Sequence, residues 1–115
     1  MGTVTKFRNL RPDMSRRAGE AAALLKTLAN QNRLMIICTL VEGEHSVGQL
    51  EELLGIRQPT LSQQLTVLRD ARIVTTRRDA KQVFYRLAEE KACRLVMALY
   101  EIFCREGRSE RDRRS

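Results

Sequence analysis

The sequence has few of the side chains on which enzymes and metal sites depend. It contains one histidine, His45, and three cysteines, none of them in a Cys-x-x-C pair. A structural zinc site needs a compact set of such ligands, so we predict no metal site. One histidine and no evident pair of carboxylates also leave no acid–base or nucleophilic arrangement. We therefore expect neither an enzyme nor a bound cofactor.

Long apolar stretches are missing as well. No run of residues approaches the length of a membrane span, and the N-terminal residues contain no apolar signal-peptide core. We therefore expect a cytoplasmic protein with no membrane partner. An odd number of widely spaced cysteines in that reducing compartment argues against a disulfide framework.

Positive charge is abundant. The chain has 115 residues, which suits a single domain, and 21 Lys and Arg against 14 Asp and Glu give a net charge of +7. This balance favours a polyanionic partner such as nucleic acid. A lone core at this size is only moderately stable, so oligomerisation is a reasonable expectation.

The ends of the chain differ from its middle. Residues 1–13 are polar, and Pro12 is predicted to end any regular element there, so we interpret them as a flexible arm. Residues 14–105 form the predicted folded domain. Residues 106–115 are charged and have no core-forming side chains, which predicts a disordered tail.

Within the domain, hydrophobic periodicity predicts four helices before a hairpin. The third helix carries a capping box formed by Ser46 and Gln49, and Gly55 is placed to end it. Pro59 suits the first position of the fourth helix. The buried stripe of that fourth helix consists of Leu61, Leu65 and Leu68.

The period then changes to strict alternation. "IVTTRR" and "QVFYRL" are rich in β-branched and aromatic residues, and "DAKQ" between them predicts the hairpin turn. A long amphipathic helix, "EEKACRLVMALYEIFCRE", follows. The predicted fold is therefore mainly α with one β-hairpin, in the order α-α-α-α-β-β-α.

Two helices joined by a short link and followed by a basic hairpin are typical of a winged helix-turn-helix, whose second helix reads the major groove. The face of that helix opposite the leucines carries uncharged hydrogen-bonding side chains suited to bases and phosphates. The predicted DNA-reading residues are Gln58, Thr60, Ser62, Gln63 and Thr66. On the wing, Arg77, Arg78 and Lys81 suit phosphate or minor-groove contact. A basic module whose helix binds protein instead is the alternative.

The stretch from Ala18 to Cys104, and "RQPTLSQQLTVLRDARIV" above all, resembles the ArsR-type repressors. The resemblance implies a homodimeric winged helix-turn-helix whose first and last helices build the dimer interface. It also implies a transcriptional repressor released from double-stranded operator DNA by an inducer. One departure is Arg72, where the family usually has glycine for a left-handed turn.

The resemblance also bears on the inducer. Metal-sensing members carry Cys-x-Cys where this chain has Ser46 and Gly48, or histidine on the last helix, which has none here. Cys38 and Cys104 resemble the cysteine pair of the biofilm growth-associated and sulfide-responsive repressors. That subgroup implies that reactive sulfur species join the two cysteines by a di- or polysulfide link. The alternative inducer is a trivalent arsenical held by thiolates.

The residues alone leave the cysteines open. Cys38 could be a small core hydrophobe. As a reactive thiol it would need solvent access or a nearby positive charge. The candidate charges are Arg33, Arg94 and Arg105. We predict that Cys104 is the more exposed, attacking thiol. Cys93 precedes Cys104 by 11 residues, about 16 Å along a helix, which is beyond disulfide reach. We therefore interpret Cys93 as a packing residue.

Overall fold

A computed structural model describes residues 9–105 of the chain. In chain order the elements are α1 (Leu10–Leu28), α2 (Gln31–Val41), β1 (His45–Ser46), α3 (Val47–Leu54), α4 (Thr60–Asp70), β2 (Val74–Asp79), β3 (Gln82–Leu87), α5 (Glu90–Tyr100) and a π-helical segment (Glu101–Arg105). The predicted class, mainly α with one antiparallel hairpin, is confirmed. The predicted tail, 106–115, and most of the predicted arm lie outside the described residues.

Helix α1 begins at Leu10, four residues earlier than predicted. Pro12 is the third residue of the helix. The first backbone N–H groups of a helix have no intrahelical partner, so a proline there costs no hydrogen bond. The expectation that Pro12 ends any regular element was therefore wrong, and residues 10–13 are helical.

Helix α2 begins with a side-chain cap. The side chain of Asn30 accepts a hydrogen bond from the backbone N–H of Arg33 at 3.0 Å, which satisfies one of the open donors of the first turn. The polar break between the first two predicted helices is thus a helix start signal, and it places the start of α2 at Gln31.

Helix α3 has the predicted capping box. The backbone N–H of Ser46 donates to Oε1 of Gln49 at 2.8 Å, and the backbone N–H of Gln49 donates to Oγ of Ser46 at 3.1 Å. Gly55 ends the helix in the left-handed region, with φ of 67°. Pro59 lies one position earlier than expected, at the cap of α4.

The sheet has three strands rather than two, in the order β1-β3-β2. Strands β2 and β3 pair from Val74 opposite Leu87 to Asp79 opposite Gln82. Only two residues remain for the turn, which is tighter than the four predicted. On the other side of β3, the short strand β1 pairs antiparallel with the wing. The sequence had suggested a turn at this point.

The core draws on every helix and on the start of β2. Its buried members are Leu28, Ile36, Ile37, Leu40, Leu50, Leu61, Leu65, Leu68, Ile73, Val74, Ala92 and Val96. The three leucines of α4 are buried as predicted. Helix α2 contributes three residues and packs against α1, α3, α4, α5 and β3, so it is the central element that joins both halves of the domain.

Two features after α4 depart from simple expectation. Arg72 adopts φ of 62°, so the left-handed turn is kept although this chain has no glycine there. The last helix is α-helical only to Tyr100 and then continues as the π-helical segment. The prediction of one continuous α-helix is wrong from Glu101 onwards.

No helix within residues 9–105 is long and apolar enough to span a membrane.

Candidate functional site

Helix α4 presents a polar face directly opposite its buried leucines. Because Leu61, Leu65 and Leu68 are turned into the core, the other side of the helix is left open to solvent. All five residues predicted to read DNA are exposed, namely Gln58, Thr60, Ser62, Gln63 and Thr66. The fold therefore gathers them on one accessible surface.

Some of these side chains already have intramolecular partners. The hydroxyl of Ser62 donates to Oε1 of Gln58, and the hydroxyl of Thr66 donates to the backbone carbonyl of Ser62 at 2.9 Å. These bonds fix the side chains along the helix while leaving their outward surfaces accessible. Within the described part of the chain, the side chains of Thr60 and Gln63 make no hydrogen bond and face solvent.

Arg33 anchors the recognition helix α4 from behind, a role that we did not predict. Its Nε donates to the carbonyl of Thr27 at 2.5 Å, and its Nη1 donates to Oε1 of Gln64 at 2.7 Å. One guanidinium therefore connects the end of α1, the start of α2 and the rear of α4. The sequence signal was the Asn30 cap three residues earlier, which fixes the orientation of the first turn of α2.

The wing residues divide into two kinds. Arg78 and Lys81 are exposed near the hairpin tip, as a phosphate contact requires. Arg77 is also exposed, but its Nε and Nη2 donate to both carboxylate oxygens of Glu44 at 2.8–3.0 Å. Of the three predicted contacts, the structure thus places two in the open and one in an ion pair.

The ion pair has a further partner in the hairpin. The guanidinium of Arg77 lies over the ring of Phe84, 4.5 Å from its centroid, which adds a cation–π contact. Hydrogen bonds from Arg77, and secondarily the charges of Arg77 and Arg86, hold the pKa of Glu44 below its ordinary value. The carboxylate therefore stays ionised at neutral pH.

Cys38 and Cys104 are both free and exposed. The expectation that Cys38 could be a buried core residue is therefore wrong. Partial burial of its thiol is the main cause that raises the pKa of Cys38, and the charge of Cys104 is the next. Cys38 lies on α2 and Cys104 on the segment that continues α5, and α2 packs against α5.

Of the two conditions for a reactive Cys38, solvent access is met, and none of the candidate charges Arg33, Arg94 and Arg105 acts on its pKa. The groups that act on its pKa include Glu42, which raises it, and no arginine. Arg33 is engaged with α1 and α4, and Arg105 donates to Glu101 at 2.8 Å. Burial is the main cause that raises the pKa of Cys38, and the charge of Glu42 acts in the same direction.

Cys93 is half-buried and unpaired with another cysteine. It lines a cavity of about 410 Å³ between the end of α2, the wing strand β3 and the start of α5. Within residues 9–105, no group of three or more His, Cys, Asp or Glu side chains is arranged to hold a metal ion.

The first and last helices expose a broad apolar surface. In the π-helical segment, Phe103 is 73 % and Ile102 is 59 % exposed. A cavity of about 810 Å³ lies between α1 and α5 and is lined in part by Leu24, Leu25 and Leu95. Lys91 closes one side of this surface through an ion pair with Glu20 at 3.0 Å. Apolar exposure on this scale marks an interaction surface.

Comparison with known proteins identifies relatives of the whole domain. Residues 30–76 match the family described as bacterial regulatory protein, arsR family. The chain is 69 % identical over 93 residues to the biofilm growth-associated repressor of Agrobacterium fabrum, covering 81 % of this chain and 80 % of that protein.

Comparison with solved structures gives the same relatives. The transcriptional repressor BigR from Xylella fastidiosa superposes with a TM-score of 0.80 at 66 % identity, covering 82 % of this chain and 96 % of that one. Reduced HlyU from Vibrio cholerae gives 0.75 at 38 % identity, covering 80 % and 97 %. The predicted winged helix-turn-helix is confirmed, and the relatives are regulators of transcription rather than enzymes. The chain belongs to the ArsR family of bacterial regulatory proteins.

Proposed function

We propose that this protein is a homodimeric transcriptional repressor that binds double-stranded operator DNA and releases it when reactive sulfur species oxidise Cys38 and Cys104. The observation that carries the DNA-binding part is the exposed polar face of α4, with Arg78 and Lys81 beside it on the wing. The observation that carries the sensing part is that Cys38 and Cys104 are two free, exposed thiols on α2 and on the continuation of α5, two helices that pack together.

The apolar surface of α1, α5 and the π-helical segment supports the dimer. A second copy that covers Ile102 and Phe103 would remove these side chains from water, which is favourable. It would also set the spacing between two recognition helices, and an operator with two half-sites requires a fixed spacing.

The chemistry needs an oxidised sulfur donor such as a low-molecular-weight hydropersulfide, RSSH. The Cys104 thiolate attacks the terminal sulfane sulfur, RSH leaves, and a Cys104 persulfide forms. Cys38 then attacks Sγ of Cys104, the bond between Sγ and the sulfane sulfur breaks, and H₂S leaves as the Cys38–Cys104 disulfide forms. If a second hydropersulfide has already converted Cys38 into a persulfide, the terminal sulfur of Cys38 attacks Sγ of Cys104 instead, H₂S leaves, and the link is a trisulfide. Both thiols are oxidised, and sulfane sulfur is reduced to H₂S.

The raised pKa of Cys38 supports Cys104 as the thiol that reacts first. A thiol is a poor nucleophile until it loses its proton, and Cys38 holds its proton more tightly than an ordinary cysteine. Once linked, α2 and the π-helical segment would be tied together. Because α2 packs against α4 as well as α5, such a link can change the presentation of both recognition helices.

The test compares DNA binding by reduced and persulfide-treated protein, using a duplex selected from random sequence by the reduced protein. Cys38→Ser and Cys104→Ser should bind this duplex normally and lose the response, whereas the control Cys93→Ser should keep it. Mass spectrometry should find a Cys38–Cys104 crosslink in the treated wild type. Normal release of DNA by Cys38→Ser would overturn the sensing proposal.

Two other outcomes correspond to the alternatives. A tight response of the reduced protein to arsenite that requires Cys93 would point to a metalloid inducer. Weak binding to every duplex, with little dependence on salt, would point to a protein-binding module, since binding through several phosphates weakens steeply as salt rises.

A further inference from the structure

The ion pair between Glu44 and Arg77 joins the loop before β1 to the outer face of the wing. Three hydrogen bonds of 2.8–3.0 Å connect one guanidinium to one carboxylate. Asp79 lies further away, with 3.7 Å between its Oδ2 and Nη1 of Arg77. Glu44 is therefore the main partner that holds the Arg77 side chain in the DNA-free protein.

Fold stability does not account for this pair. The side chains of Arg77 and Glu44 are 53 % and 29 % exposed, and ion pairs in such surroundings add little to stability. The pair is not needed to place the wing either. The backbone of β1 already pairs with β3 at His45 and Ser46, immediately after Glu44.

The geometry has a chemical equivalent in DNA. Arginine binds a carboxylate and a phosphate in the same two-pronged manner, with parallel N–H donors to two oxygens. Arg77 also shares the hairpin with two exposed cations, Arg78 and Lys81. The Glu44 carboxylate therefore occupies the position on Arg77 that a backbone phosphate would take.

We propose that Glu44 competes with DNA phosphate for Arg77, so that the wing makes its full electrostatic contact only when a phosphate displaces this carboxylate. The inference rests on the DNA-binding function proposed above and adds a specific determinant of affinity to it. The exchange replaces the bidentate carboxylate of Glu44 by a bidentate phosphate, while the guanidinium of Arg77 keeps its cation–π contact with Phe84.

A displaced Glu44 would still have a positive neighbour. Arg86 acts on the Glu44 carboxylate by charge in the present arrangement. Among the described residues, the guanidinium of Arg86 makes a single, long side-chain hydrogen bond, from Nε to Oγ1 of Thr75 at 3.3 Å. Arg86 can therefore compensate the released carboxylate. This lowers the cost of the exchange.

The experiment measures affinity for a mixed-sequence DNA duplex at several salt concentrations, with full-length reduced protein. Phosphate contacts are independent of sequence, so no operator is needed. Glu44→Gln should bind several-fold more tightly than the matched control Glu42→Gln, which removes the same charge from the same loop. Its log–log salt dependence should steepen by no more than the one Arg77 contact, a slope change of at most about 0.9, since a phosphate already displaces Glu44 in part of the wild-type complex.

The dependence on Arg77 completes the test. In an Arg77→Gln background, Glu44→Gln should give no larger gain than Glu42→Gln, and equal melting temperatures should show that all variants fold. Weaker binding by Glu44→Gln would mean that Glu44 positions the wing, and equality with Glu42→Gln would mean a mere charge effect. Either result overturns the inference while leaving DNA binding intact. Absence of salt-dependent binding by the wild type overturns both proposals.

Discussion

The recognition helix α4 buries its leucine side within one chain, whereas the π-helical segment has no buried residue. The leucines of α4 are 0–1 % exposed, whereas Phe103 is 73 % exposed. The polar side of α4 is thus displayed by a finished core. No core covers the apolar side chains of the π-helical segment, and in the proposed function a second copy of the chain covers them. The comparison indicates that the DNA-reading face rests on a finished core, whereas the segment assigned to sensing in the proposed function does not.

The largest expected effect follows from truncating a buried leucine of α4. Leu65→Ala should lower the free energy of unfolding by about 2–5 kcal/mol, because it leaves a cavity as well as losing apolar burial. Denaturant unfolding measures this loss. The matched control Val67→Ala, at a position 40 % exposed on the same helix, should cost far less. Equal losses would show that α4 is not supported as described.

Truncation at the other end should affect association instead. Phe103→Ala should weaken the dimer by about 2 kcal/mol, as expected for an aromatic residue in an interface. Sedimentation equilibrium gives the dimer constant. Leu53→Ala removes another side chain, 63 % exposed, from α3 outside the proposed interface and should leave association unchanged. An unaltered dimer in Phe103→Ala would remove Phe103 from the interface.

Removing the guanidinium of Arg33, which anchors α4, should cause a smaller loss in the free energy of unfolding. Arg33→Met removes charged hydrogen bonds to Thr27 and Gln64 and should cost about 1.5–3 kcal/mol. DNA affinity should fall with stability because α4 loses its tie to α2. Arg94→Met, on the exposed side of α5, is the control for losing a positive charge. Similar behaviour of the two variants would contradict the anchoring role.

Relief of backbone strain at Arg72 should raise the free energy of unfolding, by less than the losses predicted above. Arg72→Gly should raise the free energy of unfolding by about 0.5–1 kcal/mol, because glycine relieves the left-handed strain but increases the entropy of the unfolded chain. Arg78→Gly, in strand β2, should be destabilising and serves as the control. A loss at both positions would show that φ of 62° at Arg72 carries little strain.

The thiol pair should show a modest change in pKa. Alkylation of Cys38 should follow an apparent pKa above that of an ordinary thiol, so its rate should keep rising at alkaline pH. Glu42→Gln and Cys104→Ser each remove a negative charge that raises the pKa of Cys38, and both should lower it. Quantitative mass spectrometry of alkylated Cys38 measures this. A Cys104→Ser profile identical to the wild type would mean that the thiols are not neighbours.

Much of the DNA-reading half could be predicted because its signals are local. The leucine spacing of α4, the capping box of α3 and the alternation of the hairpin each depend on residues close in sequence. The short strand β1 escaped prediction because pairing of His45 with Tyr85 joins residues far apart in the chain. The same applies to Arg33 and Gln64, and to Glu44 and Arg77.

For the two thiols and for the start of α1, sequence patterns were less informative. An apolar stretch containing Cys38 looks the same whether the cysteine faces inward or outward, and helix α2 places it outward beside buried Ile36 and Ile37. Pro12 misled because its effect depends on its distance from a helix start that the sequence does not mark strongly. The family resemblance supplied the pairing of Cys38 with Cys104, which no local pattern specifies.

The π-helical segment determines the direction in which the side chain of Cys104 points from the helix axis. A π turn holds more residues than an α turn, so the direction of Cys104 differs from the one that a continuous α-helix would give it. Each α-helical residue turns the chain by about 100°. Deleting one residue between Tyr100 and Cys104 would therefore swing the sulfur around the axis and alter its approach to α2. In the proposed function, insertions and deletions here would therefore change the response while leaving both cysteines in place.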